Sequence, residues 1–207
     1  MSFSRFLLSS ISVMIMESSK QKNRYFHSLF ISQRKVGKVL EKKYIYPYQS
    51  EINYAYNRLS SWEEFSKTNS YIGKFEVKDY FINKNGLNVV THQEYFNQIP
   101  HQKGKVVLEN LKELGNILRK AWDEGLVHGD LNRKNILLTK DGYRIIDIEP
   151  LLKIPLANGK FILRTTNQYL SKQDRINWTV SKASDQVGFN CFTSWIRGEV
   201  KHPAMAK

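Results

Sequence analysis

The sequence predicts an α+β chain, strand-rich at first and helical later, long enough for one sizeable domain or for two small lobes sharing a cleft. Three observations predict it. Aromatic and β-branched runs with loose period-two alternation fill much of residues 25–46 and 70–96. Val107, Leu111, Leu114, Leu118 and Trp122 keep one face apolar over residues 106–124, which makes this the best helix of the chain. Between the helix and the remainder lies the stretch His128-Gly129-Asp130-Leu131-Asn132-Arg133-Lys134-Asn135-Ile136-Leu137-Leu138, followed by Tyr143 to Pro150.

That stretch reads as a hairpin carrying acids. Ile136 to Leu138 is a short buried strand, Thr139-Lys140-Asp141-Gly142 a turn, and Tyr143 to Ile146 the returning strand. Asp130 sits on the loop before the hairpin, Asn135 at its start and Asp147 at its end, so the hairpin brings Asp147 back beside Asn135. Two carboxylates and an amide oxygen at one edge make a hard, all-oxygen site. Such a site suits Mg²⁺ on phosphates, because Mg²⁺ keeps waters and takes only one or two carboxylates from protein.

On these residues the chain resembles the protein-kinase-like superfamily, whose eukaryotic members read H-R-D, then Asn five residues after the Asp, then D-F-G. The resemblance implies a minimal bilobal protein-kinase-like fold: an N-lobe over residues 25–96 and a truncated C-lobe over residues 97–207. It implies ATP and Mg²⁺ or Mn²⁺ as cofactors. Asp130 resembles the catalytic base, and Asn135 and Asp147 the metal ligands. Gly129 in place of Arg resembles bacterial kinases that act on antibiotics, sugars and lipopolysaccharide, and some bacterial effector kinases. Asp147-Ile148-Glu149 departs from D-F-G.

In the N-lobe, Tyr25 to Ile31 reads as a strand, Gln33-Arg34-Lys35 as a turn and Val36 to Ile45 as a second strand. Gly37, with Lys38 and Val39, resembles the end of a glycine-rich phosphate loop that is otherwise almost absent. The family's ATP-binding lysine has two candidates, Lys42 and Lys43. Strand alternation puts Lys42 on the face of Leu40 and Lys43 on the face of Glu41, which favours Lys42. Pro47 ends the strand, and Ser50 reads as the N-cap of a helix from Glu51 to Trp62 or beyond, with Ile52, Ala55, Tyr56 and Leu59 on its buried face. Glu51 resembles the glutamate that pairs with the lysine; an acid at a helix N-terminus is also favourable by itself.

Ser70 to Ile82 and Leu87 to Phe96 read as a hairpin with an Asn-Gly turn. Glu94 to Phe96 resembles the hinge whose backbone binds adenine. Residues 97–104 form a polar loop, and Gly125 stops the long helix. Thr165 to Ser171 resembles the extended peptide-docking stretch of protein kinases, although Lys172 and Gln173 stand where A-P-E has Pro and Glu. Trp178 to Trp195 reads as a helix. In it, Ser184-Asp185 and Gly188-Phe189 resemble the motif that anchors a kinase catalytic loop, with a shorter Asp-to-Gly spacing.

The composition sets bounds. With 207 residues and 41% hydrophobic content the chain can bury a sizeable core. The net charge of +13 is spread as dispersed lysines, which reads as a basic surface rather than a nucleic-acid-binding run. The single cysteine, Cys191, permits no internal disulfide and excludes a Cys₄ zinc site. The apolar stretch Phe6 to Met16 is too short to span a bilayer, so no transmembrane segment is expected. Residues 1–24 read either as a packing arm or as an uncleaved secretion signal like those of bacterial effectors. The chain resembles minimal type III effector kinases, including one that phosphorylates the host ninety-kilodalton heat-shock chaperone. The resemblance implies a protein serine/threonine kinase secreted into host cytoplasm, with a host chaperone as a candidate partner. A lipopolysaccharide or sugar kinase of the bacterial cytoplasm and a non-catalytic pseudokinase are the alternatives.

Overall fold

A computed structural model describes residues 29–46, 49–69, 77–83, 88–101, 105–148, 150, 152–155, 161–163 and 165–200. The proposed arm or signal over residues 1–24 and the strand start at Tyr25 lie outside the described residues, as does the Asn-Gly turn.

The N-lobe is an antiparallel sheet of β1 (Leu29–Val36), β2 (Val39–Ile45), β3 (Val77–Asn83) and β4 (Asn88–Glu94), in the order β1-β2-β4-β3. The turn expected at Gln33-Arg34-Lys35 is strand instead: these residues pair with Lys42, Glu41 and Leu40. The turn comes at Gly37-Lys38, which joins Val36 to its partner Val39. Gly37 therefore closes a hairpin at the end of the sheet. Helix α1 (Gln49–Thr68) links β2 to β3 and buries Ile52, Ala55, Leu59, Trp62 and Phe65, a 3.6-residue stripe. It starts at Gln49, so Ser50 lies inside the helix and is not its N-cap. Tyr56, expected on the buried face, is exposed.

The segment between the lobes is tied at both ends. Tyr95 donates its N–H to the Lys38 carbonyl at 2.8 Å, and Ile99 donates to Leu138 at 2.8 Å. Helix α2 (Lys105–Asp123) follows, with Leu111, Leu114, Ile117, Leu118, Ala121 and Trp122 buried. Next come the hairpin β5 (Ile136–Thr139) and β6 (Gly142–Ile145) and a second hairpin, β7 (Lys153–Pro155) and β8 (Phe161–Leu163). One apolar cluster runs from Tyr44 and Val89 through Trp62 and Leu118 to Ile145 and Phe192, so the two lobes share a core.

The helix expected from Trp178 to Trp195 starts four residues later, at Lys182, and a separate short helix precedes it. α3 (Lys172–Asn177) ends at Trp178, which is left-handed (φ 52°) and exposed, and α4 (Lys182–Arg197) starts after the N-cap Ser181. The break is organised by Asp174, which is buried (3% exposed). Its carboxylate accepts from Ser184, from the hydroxyl and N–H of Ser181 and from Thr179, and its own N–H donates to Ser171. Burial alone would raise this carboxyl, but its hydrogen bonds with Ser184, Ser181, Thr179 and Ser171 outweigh it and hold it below its ordinary value of 3.8. A depressed folded-state value means that the stabilisation is present above the ordinary carboxyl range and is lost as pH falls through the folded-state value. Asp174→Asn should lower the melting temperature at pH 7. It should also flatten the fall in melting temperature between pH 7 and the acid limb; parallel curves for variant and wild type would refute that role.

Candidate active site

The loop His128–Asn135 is built from the inside out. The buried Asp185 of α4 receives three N–H groups: His128 N at 2.6 Å and Trp122 Nε1 at 3.1 Å on Oδ2, and Gly129 N at 2.8 Å on Oδ1. Burial pushes this carboxyl up, while the three N–H donors pull it back. One turn on, Gly188 lets α4 touch the loop, because a Cβ there would overlap the Leu131 carbonyl oxygen. Asp185 and Gly188, three residues apart, share one helix face. Gly129 has φ +91°, and a Cβ on it would run into Leu152, so the arginine of H-R-D cannot be accommodated at this position without a shift.

His128 is fully buried. Its Nδ1 accepts from Asp130 N–H at 3.2 Å and its Nε2 donates to the Ile146 carbonyl at 2.8 Å, which fixes the tautomer and ties the loop to the end of the hairpin. Ile146 in turn donates its N–H to the Asn135 carbonyl at 3.0 Å, bringing Asp147 beside Asn135. Asn135 is buried, and its Nδ2 donates to the Asp130 carbonyl at 2.8 Å and more weakly to Asp130 Oδ2 at 3.3 Å. Because the amide nitrogen faces these oxygens, the Asn135 Oδ1 points the other way. Asp130 Oδ1 accepts the Thr166 N–H at 2.7 Å, which docks the segment after β8 against the acid.

From the N-lobe, Lys42 reaches across. Its Nζ lies 2.6 Å from Asp147 Oδ1, with the lysine side chain 6% and the aspartate 38% exposed. Lys43, opposite Val90 and Ser32, is half-buried on the other face of the sheet. Glu51 is buried in the first turn of α1. In the expected hinge, Glu94 closes β4 by pairing with Val39, the Tyr95 N–H is committed to Lys38, and the half-buried Phe96 ring lies 5.9 Å from the Arg144 guanidinium. Tyr95 thus has no N–H to offer adenine.

Two features escape sequence reasoning. Thr165 to Ser171 does not lie extended: Asn167–Tyr169 is a 3₁₀ turn, with Tyr169 and Leu170 buried. Arg58 of α1 donates to the carbonyls of Val127 at 2.6 Å and His128 at 2.7 Å, clamping the N-lobe helix to the loop. No sequence signal marks it, since its partners are backbone atoms. Arg58→Ala should reduce turnover about tenfold, and Arg58→Lys should restore little, because an ammonium cannot fork between two carbonyls. Steady-state rates for the two variants check this; full recovery with lysine would rule out the fork.

The RIO domain family matches residues 78–171. No curated protein matches the sequence. Among solved structures, the chain is similar to the Legionella pneumophila Lpg2603 kinase bound to IP6, at 19% identity and a TM-score of 0.51, over 78% of this chain and 54% of that one. The chain therefore spans about half the length of that kinase. A four-stranded N-lobe sheet with its helix, a helical C-lobe and an acid-bearing hairpin between them give this chain the fold of the protein-kinase-like superfamily.

Proposed function

We propose that the chain is an ATP-dependent phosphotransferase acting on protein serine or threonine hydroxyls. The observation that carries this reading is the convergence of Asp130, Asn135 and Asp147 from the C-lobe with Lys42 from the N-lobe. In this reading Asp130 orients the acceptor hydroxyl and takes its proton. Lys42 pairs with the nucleotide phosphates and is held by Glu51, buried like it. The segment Glu94 to Phe96 lies along the adenine, with backbone groups other than the Tyr95 N–H available to it.

Mg²⁺ or Mn²⁺ fits the residues present. Among the described residues no three His, Cys, Asp or Glu side chains cluster as a self-contained metal site. The oxygens of Asp147 and Asn135, with the amide turned as Asp130 dictates, are hard donors that would share a cation with phosphates. Such a cation neutralises charge on the transferring phosphoryl group.

A protein acceptor is supported by the docking of Thr166 on Asp130, which sets a chain segment beside the acid. Secretion into a host cell, with a chaperone as acceptor, rests on the H-G-D loop and the character of residues 1–24. The test is incubation with labelled ATP and Mg²⁺, with host-cell extract and separately with bacterial lipopolysaccharide. Labelled protein is the expected result; label only on sugar or lipid would replace this reading with the lipopolysaccharide-kinase one. In the same assay Lys42→Ala should fall about a hundredfold and Lys43→Ala by less than about threefold, because only Lys42 faces the cleft. The reverse order would overturn the lysine assignment.

A further inference from the structure

A pocket of about 500 Å³ opens beside the catalytic loop, lined by Gln98, His101, Arg133, Lys134 and Trp195. None of these is an acid. Arg133 and Lys134 are exposed, and they follow Asp130 by three and four residues. Asn132 Oδ1 accepts the Lys134 N–H at 2.8 Å and turns the loop there, while the Arg133 guanidinium rests 4.9 Å from the Trp195 ring centre.

His101 supplies a second observation. Its ring is wedged against Phe192 and Trp195 at 5.4 Å each and stacked on Tyr143, yet among the described residues neither of its buried ring nitrogens has a hydrogen-bond partner. Burial and the Arg133 charge hold the imidazole below its usual range. The pocket therefore presents two cations and an amide, with an imidazole in its wall whose buried nitrogens have no partner among the described residues. It lies on the loop of the base: Arg133 and Lys134 follow Asp130 by three and four residues.

We propose that this pocket is an acceptor subsite that takes an anionic side chain, carboxylate or phosphorylated, flanking the hydroxyl presented to Asp130. The proposal rests on the protein-kinase reading above and specifies its substrate class. The loop that holds the base also forms the basic wall, so residues flanking an acceptor hydroxyl at Asp130 come within reach of Arg133 and Lys134. A cationic acceptor is repelled there, and charge complementarity acts on recognition more than on chemistry.

The experiment uses the full chain with ATP and Mg²⁺ and four serine peptides that differ only in flanking residues: glutamate, phosphoserine, alanine or lysine. The glutamate and phosphoserine peptides should exceed the alanine peptide in kcat/KM by about fivefold, the scale of two exposed charge contacts, and the lysine peptide should fall below it. The ranking of phosphoserine against glutamate identifies which anion the subsite takes. Lys134→Glu, at an exposed loop position, should erase or invert the order, and Arg133→Gln should weaken it. Equal rates on all four peptides, or an unchanged order in Lys134→Glu, would overturn the subsite and leave the kinase reading standing. No transfer to any peptide or protein by the wild type would overturn the kinase reading and the subsite together.

Discussion

An Asp147→Ala chain is expected to lose phosphoryl transfer by about three orders of magnitude, the scale of removing a preorganised charged group from a site that works by electrostatics. Phosphoryl transfer asks little covalent chemistry of a protein, so a group that positions charge carries much of the rate. Asp147 is held in place at a backbone cost. Its φ of +65° lies in the left-handed region, which disfavours residues with a β-carbon by about 1–2 kcal/mol. Neighbours enforce it: Ile146 donates to Asn135 and accepts from His128 on one side, and Ile148 is 1% exposed on the other. A non-glycine residue kept in such a conformation marks a site where geometry is put to use. Asp147→Asn keeps the shape and one oxygen but not the charge, and should fall between alanine and wild type. Initial rates with labelled ATP across a Mg²⁺ titration read the effect. Transfer at the wild-type rate by Asp147→Ala would remove Asp147 from the reaction.

The parts of this site readable from sequence are those set by local rules. Asn135 and Asp147 flank one short hairpin and Asp130 sits on the loop just before it, so turn chemistry at Lys140-Asp141 brings Asp147 back beside Asn135. The strand period alone separates Lys42 from Lys43. The apolar stripe of α2 and its stop at Gly125 (φ +79°) are equally local. What sequence reasoning placed wrongly depends on partners far along the chain. Gln33 to Lys35 has turn-like composition but is drawn into a strand by Leu40, Glu41 and Lys42. Thr165 to Ser171 coils because Tyr169 and Leu170 find a buried place against α4. Trp178 ends one helix instead of starting the next because Asp174 gathers the hydroxyls of Thr179, Ser181 and Ser184; the signal available was a Ser-x-x-Asp start at Ser171. Arg58 had no signal at all, since its acceptors are carbonyls 69 and 70 residues away.

Asp185→Ala should be the most damaging change to the fold of the catalytic loop. The substitution leaves three buried N–H groups, those of Trp122, His128 and Gly129, without their acceptor. Each unsatisfied donor costs about 1–3 kcal/mol, so the loss is comparable with the 5–15 kcal/mol that holds a typical domain together. The damage is directional as well as large. Two of the donors belong to the backbone immediately before Asp130, so losing their acceptor frees Asp130 from α4 even in molecules that remain folded. Asp185→Asn separates the two effects. Trp122 and His128 share Oδ2 while Gly129 uses Oδ1, so an amide can serve one side and must set its own N–H groups against the donor on the other. The asparagine variant should therefore melt between alanine and wild type and retain reduced transfer. Thermal melts and initial rates measured on the same preparations test this. A wild-type melting temperature and rate in Asp185→Ala would show that water or a neighbouring group satisfies the three donors, and that the loop does not depend on α4 for its shape.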